Sequence, residues 1–247
     1  MKRVAVITGG ASGIGLGVAR ELAGDGHQVA ILDRNGSAAE AGAGELRANG
    51  GTTLAVEVDV ADRGSVEAAF ARVRAELGPV GILVTSAGIE SFDPVLDITR
   101  ETWDRIIAVN LTGTFVCVQA ALPDMLAAGW GRIVTIASSS AQSGAPNMAH
   151  YAASKGGVIS LTKALAVELA RSGVIVNTIT PSLVDTPMSR QAEVDGDFPG
   201  VDVIAPMVPL GRAGTPADIA AACSFLCSEG GSYITGQVIG VNGGMYI

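Results

Sequence analysis

Short, continuous apolar runs alternate along the chain with longer stretches whose apolar residues recur at a helical period. The apolar runs cover residues 4–8, 28–33, 53–58, 81–85, 132–137, 174–178 and 238–241. The helical patterns cover residues 14–25, a stretch ending at 48, 65–77, 101–126 and 151–171. Unbroken apolar runs are typical of parallel strands, because helices cover both faces of their sheet. The pattern predicts an α/β fold, a doubly wound parallel sheet with helices on both faces.

The least regular region of the chain covers residues 182–210 and is rich in Pro, Asp and Gly. It follows the predicted strand 174–178, and open α/β sheets bind their ligands beyond the carboxyl ends of strands. We predict that this region is a substrate lid, and an ordinary surface excursion is the alternative. No repeat or linker divides the chain, so we expect residues 1–247 to form a single domain.

Composition excludes several classes of function. Hydrophobic residues make up 48% of the chain and charged residues 16%, which argues against disorder. The net charge is −8, so the basic surface that nucleic acids or anionic membranes require is missing. The apolar run after Met1 is too short for a signal peptide, and no run reaches the roughly 18 residues of a membrane span. We therefore expect a cytoplasmic protein.

The cysteines and histidines do not indicate a metal site or a disulfide framework. The chain has three cysteines, an odd number in a long chain. Cys223 and Cys227 share a helical face, but the two histidines, His27 and His150, lie far from them in sequence. We expect buried, reduced thiols and no metal.

A glycine-rich turn joins the first strand to the first helix, in the sequence Thr-Gly-Gly-Ala-Ser-Gly-Ile-Gly over residues 8–15. Glycines permit a tight turn and let a pyrophosphate approach the backbone, while the free N–H groups of the helix start face the anion. The position of the turn between strand and helix strengthens this interpretation over that of a plain structural turn. The predicted contacts are Gly9, Ser12, Gly13, Ile14 and Gly15.

An acidic residue closes each of the next two predicted strands. Asp33 lies 18 residues after Gly15, where a carboxylate can bind both ribose hydroxyls and repel a 2′-phosphate, so it favours NAD over NADP. The alternative is that Asp33 only caps the following helix. The next pair, Asp59 and Val60, either meets the adenine or begins a helix, and the sequence leaves both open.

Together these features resemble the short-chain dehydrogenase/reductase family, over essentially the whole chain. The family's TGxxxGxG motif matches residues 8–15, and its Tyr-x-x-x-Lys pair matches Tyr151 and Lys155. Its serine, 13 residues before the tyrosine, falls on Ser138, and its helix-borne asparagine falls on Asn110. Four matches in the family's order are specific, whereas Tyr-x-x-x-Lys alone is not. The implied fold is the Rossmann fold.

Two departures from the family pattern fall in the implied cofactor site. The family's Asn-Asn-Ala-Gly reads Thr85-Ser86-Ala87-Gly88, and its Pro-Gly reads Pro181-Ser182. We expect the hydroxyls of Thr85 and Ser86 to replace amide hydrogen bonds, and Ser182 to alter the floor of the substrate site. The resemblance implies further cofactor contacts from Ser86, Ala87, Gly88, Tyr151, Lys155, Pro181, Val184 and Thr186.

The resemblance assigns catalysis to Asn110, Ser138, Tyr151 and Lys155. Tyr151 serves as general acid/base, and Lys155, one helical turn away, stabilises the phenolate of a group whose ordinary pKa is about 10. Ser138 bonds the substrate oxygen, and Asn110 holds a water that links Lys155 to solvent; a satisfied polar group in a helix kink is the alternative for Asn110. The predicted substrate contacts are Ser138, Ser140, Gln142 and Tyr151. We expect His150 to be a pocket wall or a surface residue, because adjacent helix residues diverge by about 100°.

These residues predict an NAD(H)-dependent oxidoreductase that interconverts a secondary alcohol and a ketone, with a small-molecule substrate. A 3-oxoacyl-thioester reductase acting on acyl carrier protein or CoA is one alternative, which the acidic region 182–210 disfavours. A non-catalytic NAD(H)-binding redox sensor is another, although it has no need of the Ser-Tyr-Lys set. The resemblance also implies a homotetramer.

Overall fold

The computed structural model describes residues 2–247 and contains one parallel sheet of seven strands. The strands are β1 (Val4–Thr8), β2 (Gln28–Asp33), β3 (Thr53–Glu57), β4 (Val80–Thr85), β5 (Gly131–Ile136), β6 (Val174–Pro181) and β7 (Val238–Val241). Their order is β3-β2-β1-β4-β5-β6-β7, and every pairing is parallel. The order reverses between β1 and β4, the point at which such sheets bind ligands. The predicted fold class is confirmed.

Helices connect the strands. They are α1 (Gly13–Gly24), α2 (Gly36–Ala48), α3 (Arg63–Glu76), α4 (Arg100–Ile107), α5 (Gly113–Ala128), the single turn α6 (Ser140–Ser143), α7 (Ala149–Leu169), α8 (Pro187–Asp195), the short α9 (Val201–Ile204) and α10 (Pro216–Cys227). A right-handed crossover of this kind places each helix on one face of the sheet or the other.

Alternate residues of each strand enter two separate cores. In β1, Val4 and Val6 pack with helices α3, α5 and α7, whereas Ala5 and Ile7 pack with α1, α2 and α10. All four are at most 5% exposed. Successive side chains of a strand point to opposite faces, so a run without polar residues is required when both faces are covered.

The structure differs from the predicted elements in three places. Residues 101–126 were predicted as one helix, but a π-helical segment, Ala108–Thr112, separates α4 from α5. Region 182–210 contains α8 and α9, and α10 was not predicted at all. The Thr215 side chain and the N–H and carboxylate of Asp218 form a capping box before α10, with Pro216 between them, and this sequence signal was available.

The stretch from α4 through α5, residues 100–128, is long and apolar enough to cross a membrane by length and composition. Half of its apolar window is buried within the fold. Met125 and Cys117, for example, pack in the core beside the sheet. The apolar character of this stretch is therefore accounted for by its place as a core helix.

Candidate active site

A cavity of about 620 Å³ opens at the carboxyl ends of strands β1, β2, β4, β5 and β6. It contains every residue predicted to contact the cofactor. Those residues are Gly9, Ser12, Gly13, Ile14, Gly15, Asp33, Asp59, Val60, Ser86, Ala87, Gly88, Tyr151, Lys155, Pro181, Val184 and Thr186. Residues from opposite ends of the chain thus meet in one depression, as the topology of the sheet requires.

The glycine-rich turn is packed so closely that side chains are excluded from it. A Cβ on Gly15 would lie 2.1 Å from the carbonyl oxygen of Gly9, and one on Gly9 would lie 2.7 Å from the Cα of Ala87. Gly9 also has a φ of +63°, in the left-handed region that favours glycine. The turn therefore presents bare backbone to the cavity.

The amino terminus of α1 keeps its N–H groups available to a ligand. Ser12 is the N-cap residue and has extended backbone, but its side chain makes no capping hydrogen bond. The first turn of a helix has no intrahelical partner for its N–H groups, and the helix dipole makes this end positive. Together, the open cap and the bare glycine backbone fit the pyrophosphate of a dinucleotide.

Asp33 sits at the end of β2 and closes the rim of the glycine-rich turn. Its Oδ2 accepts a hydrogen bond from the Ala11 N–H at 3.1 Å, and its Oδ1 accepts one from the Asn35 N–H at 2.9 Å. The cap of α2 is Asn35, whose side chain accepts from the Ala38 N–H. Asp33 is therefore not the helix cap, and its carboxylate faces the cavity.

Asp59 is not the cap of the following helix, and its contact with the adenine stays a prediction. Its Oδ1 accepts from the Ala61 N–H at 2.9 Å, as in the turn that precedes a helix. Its side chain also lines the cavity, and its Oδ2 lies 3.7 Å from Nη1 of Arg105. The cap of α3 itself is Asp62.

The loop after β4 is fixed to β1 by a threonine. The Thr8 hydroxyl accepts a hydrogen bond from the Ala87 N–H at 3.2 Å, and the Thr8 carbonyl accepts from the Ser86 N–H at 3.2 Å. The expectation for Thr85 is wrong. Its hydroxyl is buried without a hydrogen-bond partner in residues 2–247, because β4 carries it into the core and not toward the loop.

Helix α7 and the end of β5 bring three of the predicted catalytic residues together. Tyr151, Lys155 and Ser138 all line the cavity. The Lys155 Nζ donates to the carbonyl of Ile136 at 2.9 Å and lies 5.8 Å from the centroid of the Tyr151 ring. Ser138 Oγ is 2.8 Å from Ser140 Oγ.

Burial controls the titration of the acid/base pair. It raises the pKa of Tyr151, to which the negative Glu90 adds, while a hydrogen bond with Ser138 acts in the opposite direction. Burial lowers the pKa of Lys155 to about 8, against the raising effect of Glu90. The stabilisation of the Tyr151 phenolate expected from Lys155 stays a prediction, because in the protein alone desolvation of the phenolate sets the direction in which the pKa moves.

Asn110 is completely buried in the π-helical segment between α4 and α5. Its Nδ2 donates to the carbonyl of Ile89 at 3.0 Å and to Ser154 Oγ at 3.0 Å, and its Oδ1 accepts from the Ile89 N–H at 2.9 Å. Asn110 does not line the cavity. It is thus a satisfied polar group at an irregular helical turn, and it ties the loop after β4 to α7.

His150 is neither a pocket wall nor a surface residue, contrary to expectation. It is fully buried, with Nε2 2.6 Å from Ser91 Oγ and 3.4 Å from Asp93 Oδ2. The loop after β4 covers the start of α7, and this tertiary contact was invisible in the sequence.

Region 182–210 contributes residues to the wall of the cavity, and its role as a substrate lid stays a prediction. Thr186 caps α8, and its Oγ1 accepts a hydrogen bond from the Ser189 N–H. The Thr186 methyl group lies beside the glycine-rich turn, 3.4 Å from the position that a Cβ on Gly13 would occupy. The Ser182 hydroxyl donates to the carbonyl of Asn242 at 2.9 Å, and Ser182 has no positive φ. Serine in place of glycine therefore causes no backbone strain here.

One prediction about the substrate end needs amendment, and one residue there was missed. Gln142 is exposed and does not line the cavity, since α6 turns it outward, whereas Ser143 on the same turn does line it. Sequence reasoning also missed Glu90, an acid in the cavity wall. Its signal was a single charge in the otherwise uncharged stretch 85–92, directly after a strand.

Comparison with known proteins agrees with this geometry. Residues 9–246 match the family model described as Enoyl-(Acyl carrier protein) reductase. The chain is 40% identical over 245 residues to D-threitol dehydrogenase of Mycolicibacterium smegmatis, covering 99% of this chain and 93% of that protein. Identity and coverage are the same for the 3-oxoacyl-[acyl-carrier-protein] reductase MabA of Mycobacterium tuberculosis.

A solved structure of an actinorhodin polyketide ketoreductase with NADPH has a TM-score of 0.95 against this chain, at 35% identity. The alignment covers 99% of this chain and 97% of the ketoreductase. The chain therefore belongs to the short-chain dehydrogenase/reductase family, and it is an oxidoreductase that works with a nicotinamide cofactor.

Proposed function

We propose that the protein is an NAD(H)-dependent dehydrogenase that interconverts a small secondary alcohol and its ketone, with Tyr151 as general acid/base. The observation that carries this proposal is the convergence of Ser138, Tyr151 and Lys155 on the same cavity as the glycine-rich turn and Asp33. A cavity of about 620 Å³ accommodates a dinucleotide's reactive end with a small substrate.

The residues that would hold the cofactor are the glycine-rich turn, Asp33 and the loop at residues 86–88. The open N-cap at Ser12 and the side-chain-free backbone of Gly9 and Gly15 support this assignment. When bound, NAD supplies the chemistry of hydride transfer, and the protein supplies orientation and a tuned acid/base.

Tyr151 exchanges the proton of the substrate oxygen, since it lies in the cavity beside Ser138, which donates a hydrogen bond to that oxygen. Lys155 is 4% exposed and keeps its ammonium between the Tyr151 ring and the carbonyl of Ile136. Because burial raises the pKa of Tyr151, the isolated protein favours the phenol. The phenolate needed for alcohol oxidation gains stability from the Lys155 charge and from the positive charge of oxidised nicotinamide. Asn110 keeps the adjoining loop in place.

The preference for NAD rests on Asp33. A carboxylate at the rim of the glycine-rich turn accepts hydrogen bonds from ribose hydroxyls and repels a 2′-phosphate. Arg34 also lines the cavity next to Asp33, and its positive charge would favour NADP. We give the carboxylate the greater weight because it is fixed by two backbone N–H groups.

A 3-oxoacyl-thioester reductase is the second candidate, and the likeness to MabA and to the matched family model favours it. The charges around the cavity mouth oppose an acidic carrier protein. The lid's Arg190 is engaged by Asp185 and Asp202, and the exposed Asp195 and Asp197 add further negative charge. Acidic surfaces repel an acidic partner.

We also propose that the enzyme is cytoplasmic and assembles as a homotetramer. Exposed apolar residues on α5, α7 and the C-terminus support assembly, namely Phe115, Leu126, Val167, Tyr246 and Ile247. Large apolar side chains that a single subunit exposes to solvent often mark a protein–protein interface. Sedimentation should give a tetramer at micromolar concentration, and a stable monomer would contradict the proposal.

The test of the reaction is absorbance at 340 nm with NAD⁺ and NADP⁺ in parallel. The panel contains alicyclic, aromatic, steroidal, open-chain and 3-hydroxyacyl-thioester alcohols. NAD⁺-dependent turnover of small alcohols is expected. Preferred turnover of the thioesters would favour the second candidate, and NADH binding without turnover of any alcohol would favour a redox sensor.

A further inference from the structure

Glu90 is a carboxylate in the cavity wall that the chemistry described above does not use. It lies in the loop after β4, is half-buried and lines the cavity with Tyr151 and Lys155. Within residues 2–247 its side chain makes no hydrogen bond and no ion pair shorter than 4.0 Å. A half-buried carboxylate without a partner is costly unless a ligand provides one.

The loop holds Glu90 at this position from both sides. The Ile89 N–H and carbonyl are both bonded to the side chain of Asn110, at 2.9 and 3.0 Å. Ser91 Oγ lies 2.6 Å from Nε2 of the buried His150, and the Asp93 N–H donates to the carbonyl of Asn147 at 2.8 Å. The backbone that carries Glu90 is therefore anchored to the helix that carries Tyr151.

Glu90 is also close enough to the acid/base pair to affect its charge. It raises the pKa of both Tyr151 and Lys155. Its own pKa is raised by burial, lowered by Lys155 and raised by Asp197 of the lid. Glu90 thus lines the same cavity as Tyr151 and Ser138, between which the reacting carbon must lie.

The surroundings limit what can pair with this carboxylate. An anionic group would be repelled by Glu90 and by Asp197, and an apolar chain would bury Glu90 unpaired. The Lys155 charge acts on Glu90 through space but donates no hydrogen bond to it, so the carboxylate lacks a hydrogen-bond donor rather than a second cation. Hydroxyl groups satisfy a carboxylate without adding charge, and further hydroxyls line the same cavity on Ser140, Ser143 and Ser182.

We propose that Glu90 is a specificity-determining residue that accepts a hydrogen bond from a second substrate hydroxyl, next to the carbon that is oxidised. The substrate class is then a neutral polyol with vicinal hydroxyl groups. This inference rests on the proposed function, and it names the substrate class of the same site.

The experiment compares a matched pair of alcohols, butane-2,3-diol and butan-2-ol, with NAD⁺. Wild type, Glu90→Gln and Glu90→Leu are compared, with Glu67→Gln on the exposed face of α3 as the control. The wild type should favour the diol by roughly tenfold or more in kcat/KM, because a site built for a hydroxyl rejects the analogue without it. Glu90→Leu should reduce this ratio about tenfold, and Glu67→Gln should keep it.

A pH profile gives a readout that a merely structural role would not produce. Glu90 raises the pKa of Tyr151, so Glu90→Gln should lower it and move the rising limb of oxidation to lower pH. NADH fluorescence titration of each variant shows that the fold and the cofactor site persist.

Several outcomes would overturn the inference. Equal turnover of diol and mono-ol by the wild type, or an unchanged ratio in Glu90→Leu, would overturn it while leaving the proposed function intact. Preference for 3-aminobutan-2-ol over butane-2,3-diol would show that Glu90 binds a cation. Preference for 3-hydroxybutanoate over the diol would show that the Glu90 charge does not repel an anionic substrate. Absence of turnover with every alcohol and either nucleotide would overturn the proposed function, and this inference with it.

Discussion

The two ends of the cavity differ in the groups that line them, mainly backbone at one end and side chains at the other. The end at β1 and β2 consists of glycine backbone, an open helix terminus and a carboxylate held by two N–H groups. The end at β5 and β6 consists of side chains, Ser138, Tyr151 and Glu90 among them, that come from separate segments of the chain.

This contrast reflects what each end must recognise. A pyrophosphate is the same in every dinucleotide, so a local motif of a few consecutive residues is sufficient to bind it. A substrate differs from enzyme to enzyme, and its recognition requires side chains that converge from distant parts of the sequence. Substitutions at the two ends should therefore fail in different ways.

The largest effect is expected for Tyr151→Phe, which removes the proton donor and acceptor at the substrate end. We expect kcat to fall by about 10²–10⁴-fold, the usual contribution of general acid–base catalysis, with NADH affinity kept. Absorbance at 340 nm and NADH fluorescence measure the two quantities. Tyr233→Phe, at a fully exposed tyrosine, is the matched control. Residual activity near that of wild type would remove Tyr151 from the mechanism.

Gly15→Ala should damage the dinucleotide end. The added Cβ would lie 2.1 Å from the Gly9 carbonyl oxygen, so the turn must open. We expect NADH affinity to fall by about 10²-fold and the Tm to drop. Gly24→Ala, near the end of the same helix, has no atom within 4 Å of the added Cβ and should leave both unchanged. Equal behaviour of the two variants would contradict the close-packed turn.

Asp33→Asn tests the choice of cofactor without removing the hydrogen-bond acceptor for Ala11. Loss of the charge weakens the bonds to the ribose and ends the repulsion of a 2′-phosphate. The ratio of kcat/KM for NAD⁺ to that for NADP⁺ should fall about tenfold. Asp62→Asn, at the cap of α3, should not change this ratio. A wild type that prefers NADP⁺ would disprove the role given to Asp33.

The smallest effect is expected at the lid. Arg190 joins Asp185 to Asp202, and Arg190→Gln breaks these links between α8 and its surroundings. Exposed ion pairs are screened by solvent and contribute little, so the substrate KM should rise only about two- to fivefold, with the KM for NAD⁺ unchanged. Arg72→Gln, which breaks a surface pair on α3, serves as the control. A larger rise in the KM for NAD⁺ than in the KM for substrate would show that this region acts on the cofactor and would contradict its role as a substrate lid.

Much of the molecule could be predicted from local sequence, and the exceptions have physical causes. The sheet followed from apolar runs, and the glycine-rich turn from its position between strand and helix. The π-helical segment around Asn110 has no periodic signature, since it depends on the contacts of its side chain with Ile89 and Ser154. The burial of His150 depends on a loop 59 residues away.

The amino-acid sequence by itself determined the strands and the dinucleotide motif, because each depends on neighbours within one or two turns of chain, whereas the reactive side chains were identified through the family resemblance. Only the tertiary structure decided that Glu90 lines the same cavity as Tyr151, that Gln142 lies outside it, and which way the pKa of Tyr151 moves. These properties depend on burial and on charges brought together across the sheet. Burial and charge interactions depend on which groups lie close together in space, and the separation of residues along the chain does not reveal this.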